Sequence, residues 1–171
     1  MPSGLRYVDS CCVILIIDKD DTHRKDYGCG KKKGEALFPK NTWFSVPEVA
    51  MGETVMKIMD KRPGSFQAAM QEYRRLVESG FLRVSYIRDS TFTFDLAKEI
   101  SREKADYRDR ISVADALILA CAAADKDCSV FYTSDSKLLT DSSVSKAVDD
   151  WRSSSDYGEM RIMDIADVLK P

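Results

Sequence analysis

Short apolar runs rich in β-branched and aromatic residues alternate along this chain with stretches of helical spacing, and that alternation restricts the fold more than any other property. Residues 5–9, 81–87, 128–132 and 161–163 read as strands. Residues 67–79, 93–106 and 111–124 carry their apolar side chains at helical intervals. Parallel neighbours need long crossovers, and helices supply them. The expectation is therefore an α/β fold in three layers, a central and mainly parallel sheet flanked by helices. At 171 residues and 44% hydrophobic content the chain suits a single domain, 1–171, with a loop insertion at about 18–40.

Within that frame the details are uneven. Residues 11–17 fit either an extension of the first strand or a buried helix, because periodicity cannot separate the two in so short a run. The polar, glycine-rich segment 18–40 reads as loop with a short helix near 34–38. Residues 45–59 open on Ser-x-Pro and place Val49, Val55, Met56 and Met59 at helical spacing, so a helix is expected throughout. Met70, Tyr73, Leu76 and Val77 mark the inner face of the next helix, and Gly80 ends it. Leu96, Ala97 and Ile100 mark the inner face of the one after. Residues 165–169 look helical.

Composition removes several classes of function. Five cysteines, Cys11, Cys12, Cys29, Cys121 and Cys128, form no C-x-x-C pair, and no signal-peptide layout precedes them. Neither a zinc ribbon nor a secreted disulfide framework is indicated, and a reducing cytoplasm is the expected setting. The apolar run 11–17 is far shorter than the ~20 residues of a membrane span. A net charge of −2 argues against an overall basic coat for nucleic acid. One local basic cluster remains, Lys31, Lys32 and Lys33 among glycines, which suits either a solvated loop or a phosphate-contacting arm. It lacks the Gly-Lys-Ser/Thr ending of a P-loop.

Four acids stand where elements begin or end beside apolar runs: Asp9, Glu53, Asp115 and Asp135. In a parallel sheet, sites form beyond the carboxyl ends of the strands, and Asp9 and Asp135 both follow a strand there. Carboxylates gathered a few Å apart cannot all stay ionised without a positive partner. A hard divalent cation resolves that conflict and pairs naturally with phosphate substrates. Taken singly, each acid has a plainer role. Asp115 can close a Ser112-x-x-Asp115 capping box, Asp9 and Asp135 can be turn residues, and Glu53 can face solvent. Glu48 is a second candidate for the helix-borne ligand, although the two glutamates turn to different faces.

Read in order, Val8-Asp9-Ser10-Cys11-Cys12-Val13-Ile14, Val46-Pro47 with Glu53 beyond, Ser112-Val113-Ala114-Asp115-Ala116-Leu117-Ile118, and Phe131-Tyr132-Thr133-Ser134-Asp135 follow the PIN-domain pattern. The chain resembles the PIN-domain ribonucleases, and among them the VapC-type toxins of toxin-antitoxin pairs. The resemblance implies that Asp9, Glu53, Asp115 and Asp135 hold Mg²⁺ or Mn²⁺, with the hydroxyls of Ser10 and Thr133 in support. It implies hydrolysis of RNA by a metal-activated water, leaving a 5′-phosphate. It further implies an antitoxin partner and a homodimer, for which Met51, Met56 and Met59 offer an apolar stripe, although core is the expected place for that stripe. With His23 as the single histidine, a two-histidine nuclease mechanism is excluded. Two departures from the family pattern bear on metal number: the 18–40 segment is long and lysine-rich, and Ser136 and Lys137 stand where a further acid often follows.

Two other classes compete. Asp18-Lys19-Asp20-Asp21-Thr22 matches the Asp-x-Asp-x-Thr block of haloacid-dehalogenase-type phosphatases, with Asp18 as nucleophile and Asp20 as acid/base. That assignment requires residues 12–17 to be a strand leading into Asp18. The third class is a non-catalytic PIN-like binding module, against which a complete set of four acids argues.

Overall fold

The computed structural model describes residues 4–18, 26–28, 34–87, 89–101 and 110–169. Its centre is a five-stranded sheet in the order β3-β2-β1-β4-β5, every neighbouring pair parallel. The strands are β1 (Leu5–Val8), β2 (Phe44–Pro47), β3 (Leu82–Ser85), β4 (Cys128–Thr133) and β5 (Arg161–Asp164). The α/β expectation holds. Seven α-helices among the described residues connect and flank the strands: α1 (Ser10–Ile17), α2 (Glu48–Lys61), α3 (Phe66–Glu78), α4 (Ser90–Ile100), α5 (Val113–Ala123), α6 (Ser136–Thr140) and α7 (Ser142–Ser154). One group packs α1 against α2 and α3, and another packs α4 against α5 and α7.

The ambiguity at residues 11–17 resolves as helix. Asp9, in extended conformation, accepts from the Ser10 amide at 2.6 Å and starts α1, and every residue of that helix except Cys11 is buried. The phosphatase assignment fails on this point, because Asp18 leaves a helix and not a strand. Its carboxylate is buried and paired with Arg62 at 3.1 Å. Asp20 lies outside the described residues, as do Lys31, Lys32 and Lys33.

Residues 45–59 are not one helix. Phe44–Pro47 is a fully buried strand between β1 and β3, and α2 begins only at Glu48. A central strand buried on both faces shows no alternation to read, and Pro47 serves as the residue before the helix. Of the three methionines of α2, only Met51 packs against the core, half-buried. The inner stripe of the helix is Ala50, Thr54 and Ile58, while Met56 is 72% and Met59 55% exposed. Thr54 is accommodated in the core because its hydroxyl donates to the Ala50 carbonyl at 2.7 Å.

Elsewhere the expected elements appear with shorter ends. Leu76 is buried on α3, with Met70, Tyr73 and Val77 packed beside it, and Gly80 follows at φ 75°. The third strand keeps only residues 82–85, and α4 starts earlier than expected, where Asp89 caps the Phe92 amide at 2.9 Å. Leu96, Ala97 and Ile100 are buried as expected, and residues 102–106 lie outside the description. A 3-10 turn covers Gly34–Leu37, and another covers Ile165–Val168 in place of a helix. The long helix α7 was not expected.

Chain order positions the site. From β1 the chain moves to β2 and β3 on one side, then returns across to β4 and β5 on the other. The β1/β4 boundary is thus a topological switch point, where diverging connections leave a crevice at the carboxyl edge. Asp9 follows β1 there, and its amide donates to the Tyr132 carbonyl of β4 at 3.0 Å.

Candidate metal centre

Asp9, Glu53 and Asp115 come together at that crevice. Each offers a carboxylate oxygen, and the three atoms lie within 4.8 Å of one another. Three elements converge to make this possible: Asp9 at the cap of α1, Glu53 within α2 and Asp115 in the first turn of α5. Asp9 is 1% exposed. Its Oδ2 accepts from the Thr133 hydroxyl at 2.8 Å, so a side chain at the end of β4 orients a carboxylate at the end of β1.

The other two acids are equally constrained. Ser10 Oγ donates to Glu53 Oε2 at 2.5 Å. Asp115 takes part in half of the expected capping box: its amide donates to Ser112 Oγ at 3.0 Å, but its Oδ2 accepts from that same hydroxyl at 2.6 Å, where a full box would use the Ser112 amide. Capping and cluster membership coexist, because the first turn of α5 opens onto the crevice. Asp135, expected as the fourth, does not join the three. Its Oδ1 caps α6 by accepting from the Lys137 amide at 2.7 Å, and its own amide donates to Thr133 Oγ1 at 3.0 Å. Glu48 is exposed at the start of α2 and does not join the three.

Electrostatics follow from this crowding. Burial pushes the Asp9 carboxyl well above the usual carboxylate range, and the neighbouring Cys11 and Asp115 push it further. Asp115 is also raised, first by burial and then by Glu53 and Asp135, against the lowering influence of Ser112 and Lys57. Cys11 sits in the same hollow, its Sγ 3.3 Å from Asp9 Oδ2. Hydrogen bonding from Cys12, and after it from Ser134, draws the Cys11 thiol down to about 6. The one cation at the cluster among the described residues is Lys57, whose Nζ lies 3.0 Å from Glu53 Oε1 and 3.2 Å from Ser10 Oγ. Burial works against its charge, but Glu53, Asp115 and Asp9 together hold its pKa above the ordinary lysine value.

Neither Lys57 nor Cys11 was singled out from sequence as part of the site. Lys57 had a readable signal, since it lies one helical turn beyond Glu53 and therefore on the same face. The donor set suits a hard divalent ion: three carboxylates, oxygen only, from three separate elements, with Asp9 almost wholly removed from water.

No protein-family model matches this sequence, and no curated protein matches it. Among solved structures, the chain is similar to one in the crystal structure of VapBC2 from Rickettsia felis bound to a DNA fragment from its promoter. The TM-score is 0.52 at 12% identity, over 94% of this chain and 98% of that one. At that identity the likeness is one of fold alone.

Proposed function

We propose that this protein is a divalent-metal-dependent endoribonuclease of the PIN type. Asp9, Glu53 and Asp115 would hold Mg²⁺ or Mn²⁺, and Asp135 would complete the acidic site from the end of β4. The observation that carries this is the convergence of three carboxylate oxygens within 4.8 Å at the switch point of a parallel sheet. The sequence pattern around the same residues and the shared fold with a chain of a VapBC2 complex support it.

A divalent ion there supplies Lewis-acid stabilisation of the charge that builds on phosphoryl oxygens and makes water more acidic at neutral pH. The chain's own residues do the positioning. Thr133 and the Ser10 amide lock Asp9, the Ser10 hydroxyl locks Glu53, and Ser112 locks Asp115, so the three acids are presented in one arrangement. Such preorganisation favours charge that develops only during the reaction.

By the same reading the whole chain is one PIN-like domain working in the cytoplasm, and RNA enters over the carboxyl edge. No helix among the described residues is long and apolar enough to cross a membrane. An antitoxin-like protein partner and a homodimer accompany this reading, and the exposed Met56 and Met59 of α2 are available for such contacts. The test is cleavage of single-stranded and structured RNA by the purified protein with Mn²⁺ or with excess chelator. Cleavage confined to the Mn²⁺ samples is expected; full activity in chelator would remove the metal from the mechanism.

A further inference from the structure

The cluster is not waiting for its counter-ion with open arms. Both oxygens of Glu53 already have a partner: Oε2 accepts from the Ser10 hydroxyl at 2.5 Å, and Oε1 pairs with the Lys57 ammonium at 3.0 Å. Lys57 also donates to Ser10 Oγ at 3.2 Å, which closes a ring of three side chains across α1 and α2. An ordinary ion pair along one helix would not reach a hydroxyl on another. With the three acids ionised, one ammonium leaves a net charge of −2 at the cluster.

We propose that Lys57 is the built-in counter-cation of this site, and that a divalent ion binds in competition with it. The inference rests on the metal-centre reading above and adds to it how the site is filled and emptied. Each Glu53 oxygen keeps a second lone pair for a cation, but a cation bound there sits beside the Lys57 ammonium. Two positive charges at one carboxylate repel each other strongly at such range. The lysine is the group able to yield, because its side chain is 34% exposed and ends a flexible four-carbon stem. Serine has no such freedom. In the metal-free protein Lys57 offsets the mutual repulsion of the acids, and on metal binding it swings out to solvent, where phosphate groups of a substrate pass. The cost is a weaker hold on the ion; the gain is a site that stays folded without it.

The test uses the full-length protein stripped of metal and titrated with Mn²⁺, following free Mn²⁺ by its paramagnetic resonance signal. Lys57→Met should bind Mn²⁺ about tenfold more tightly than wild type, a modest fraction of the repulsion between close unit charges after solvent screening. Lys57→Gln, which keeps a donor but not the charge, should tighten similarly and serves if the methionine variant folds poorly. Thermal unfolding gives the second readout. Both variants should melt below wild type without metal, and the gap should close at saturating Mn²⁺. Unchanged or weaker Mn²⁺ affinity in the folded variants would overturn competition by Lys57 and leave the metal centre standing. Failure of wild type itself to take up Mn²⁺ would overturn the metal centre and this inference with it.

Discussion

Two ionisable side chains are almost fully buried at opposite edges of the sheet, and the protein treats them in opposite ways. Arg152, at the amino edge, is 2% exposed and donates to five backbone carbonyls: Gly158 and Ala123 at 2.7 Å, Asp125 and Cys128 at 3.0 Å, and Lys126 at 3.4 Å. Ala123 is the last residue of α5, so the guanidinium also meets the negative end of a helix dipole. Asp9, at the carboxyl edge, is as deeply buried, yet its nearest ionisable neighbours include more acid, and its carboxyl is pushed far up. A buried charge surrounded by fixed opposite dipoles is complete and holds the fold together. A carboxyl buried among like charges is instead held towards its protonated form, and under the proposed function a divalent ion would take the proton's place.

The largest effect expected from this contrast is on catalysis. Asp115→Asn should lower RNA cleavage by about a thousandfold or more, the rate equivalent of several kcal/mol of metal-derived stabilisation. Unfolding of the metal-free variant should be unchanged or shifted upward, since one of the repelling charges is gone. Steady cleavage assays beside thermal melts of the same preparation check both halves.

Arg152→Met should do the reverse. Several buried carbonyls lose their donor at once, so a loss of about 3 kcal/mol or more is expected, or roughly 6–12 °C in Tm. Mn²⁺ affinity of the folded fraction should stay as in wild type. Urea unfolding and a Mn²⁺ titration settle this, and a metal-affinity change as large as the stability change would break the separation between the two edges.

A smaller effect concerns pH. Asp9 and Asp115 have raised values in the folded protein, so in the window from the ordinary carboxylate range up to those values the native state binds more protons than the unfolded state. Stability of the metal-free protein therefore falls as pH rises through that window. Mn²⁺ affinity moves the other way and rises with pH, because the ion displaces those protons. Melting curves across a pH series, with and without Mn²⁺, should show the slope reduced in Asp9→Asn, with Asp115 carrying what remains. The smallest expected effect belongs to the lysine cluster outside the described residues. If Lys31, Lys32 and Lys33 meet phosphates, glutamine at all three flattens the salt dependence of RNA binding by about 0.7 in log-log slope per contact.

How far the sequence could be read differs between these edges for the same physical reason. Asp9 and Asp115 were legible because they stand at element ends, after β1 and behind the Ser112 cap, where pattern and polarity change together. Glu53 lies inside α2 and was reached only through its spacing from Pro47. The face of α2 was not legible. Its buried stripe, Ala50, Thr54 and Ile58, is small and partly polar, while the hydrophobic Met56 and Met59 point outward. Hydropathy alone ranks those two faces wrongly. Strand β2 was hidden because Pro47 resembles a helix start and the strand has no alternation. Helix α7 did carry a signal, Val144, Ala147 and Val148 at helical spacing behind an Asp141 cap, but serines and charges dilute it. Arg152 could not be assigned from sequence at all, since its partners are backbone carbonyls.

The contrast between the edges is tested most directly by diffraction from crystals soaked in Mn²⁺, with data collected for the anomalous signal of the metal. A peak bounded by the carboxylates of Asp9, Glu53 and Asp115, with the Lys57 ammonium displaced from Glu53, is the expected result. A well-occupied Mn²⁺ peak elsewhere on the protein, with none at this cluster and Lys57 still closed on Glu53 and Ser10, would contradict it.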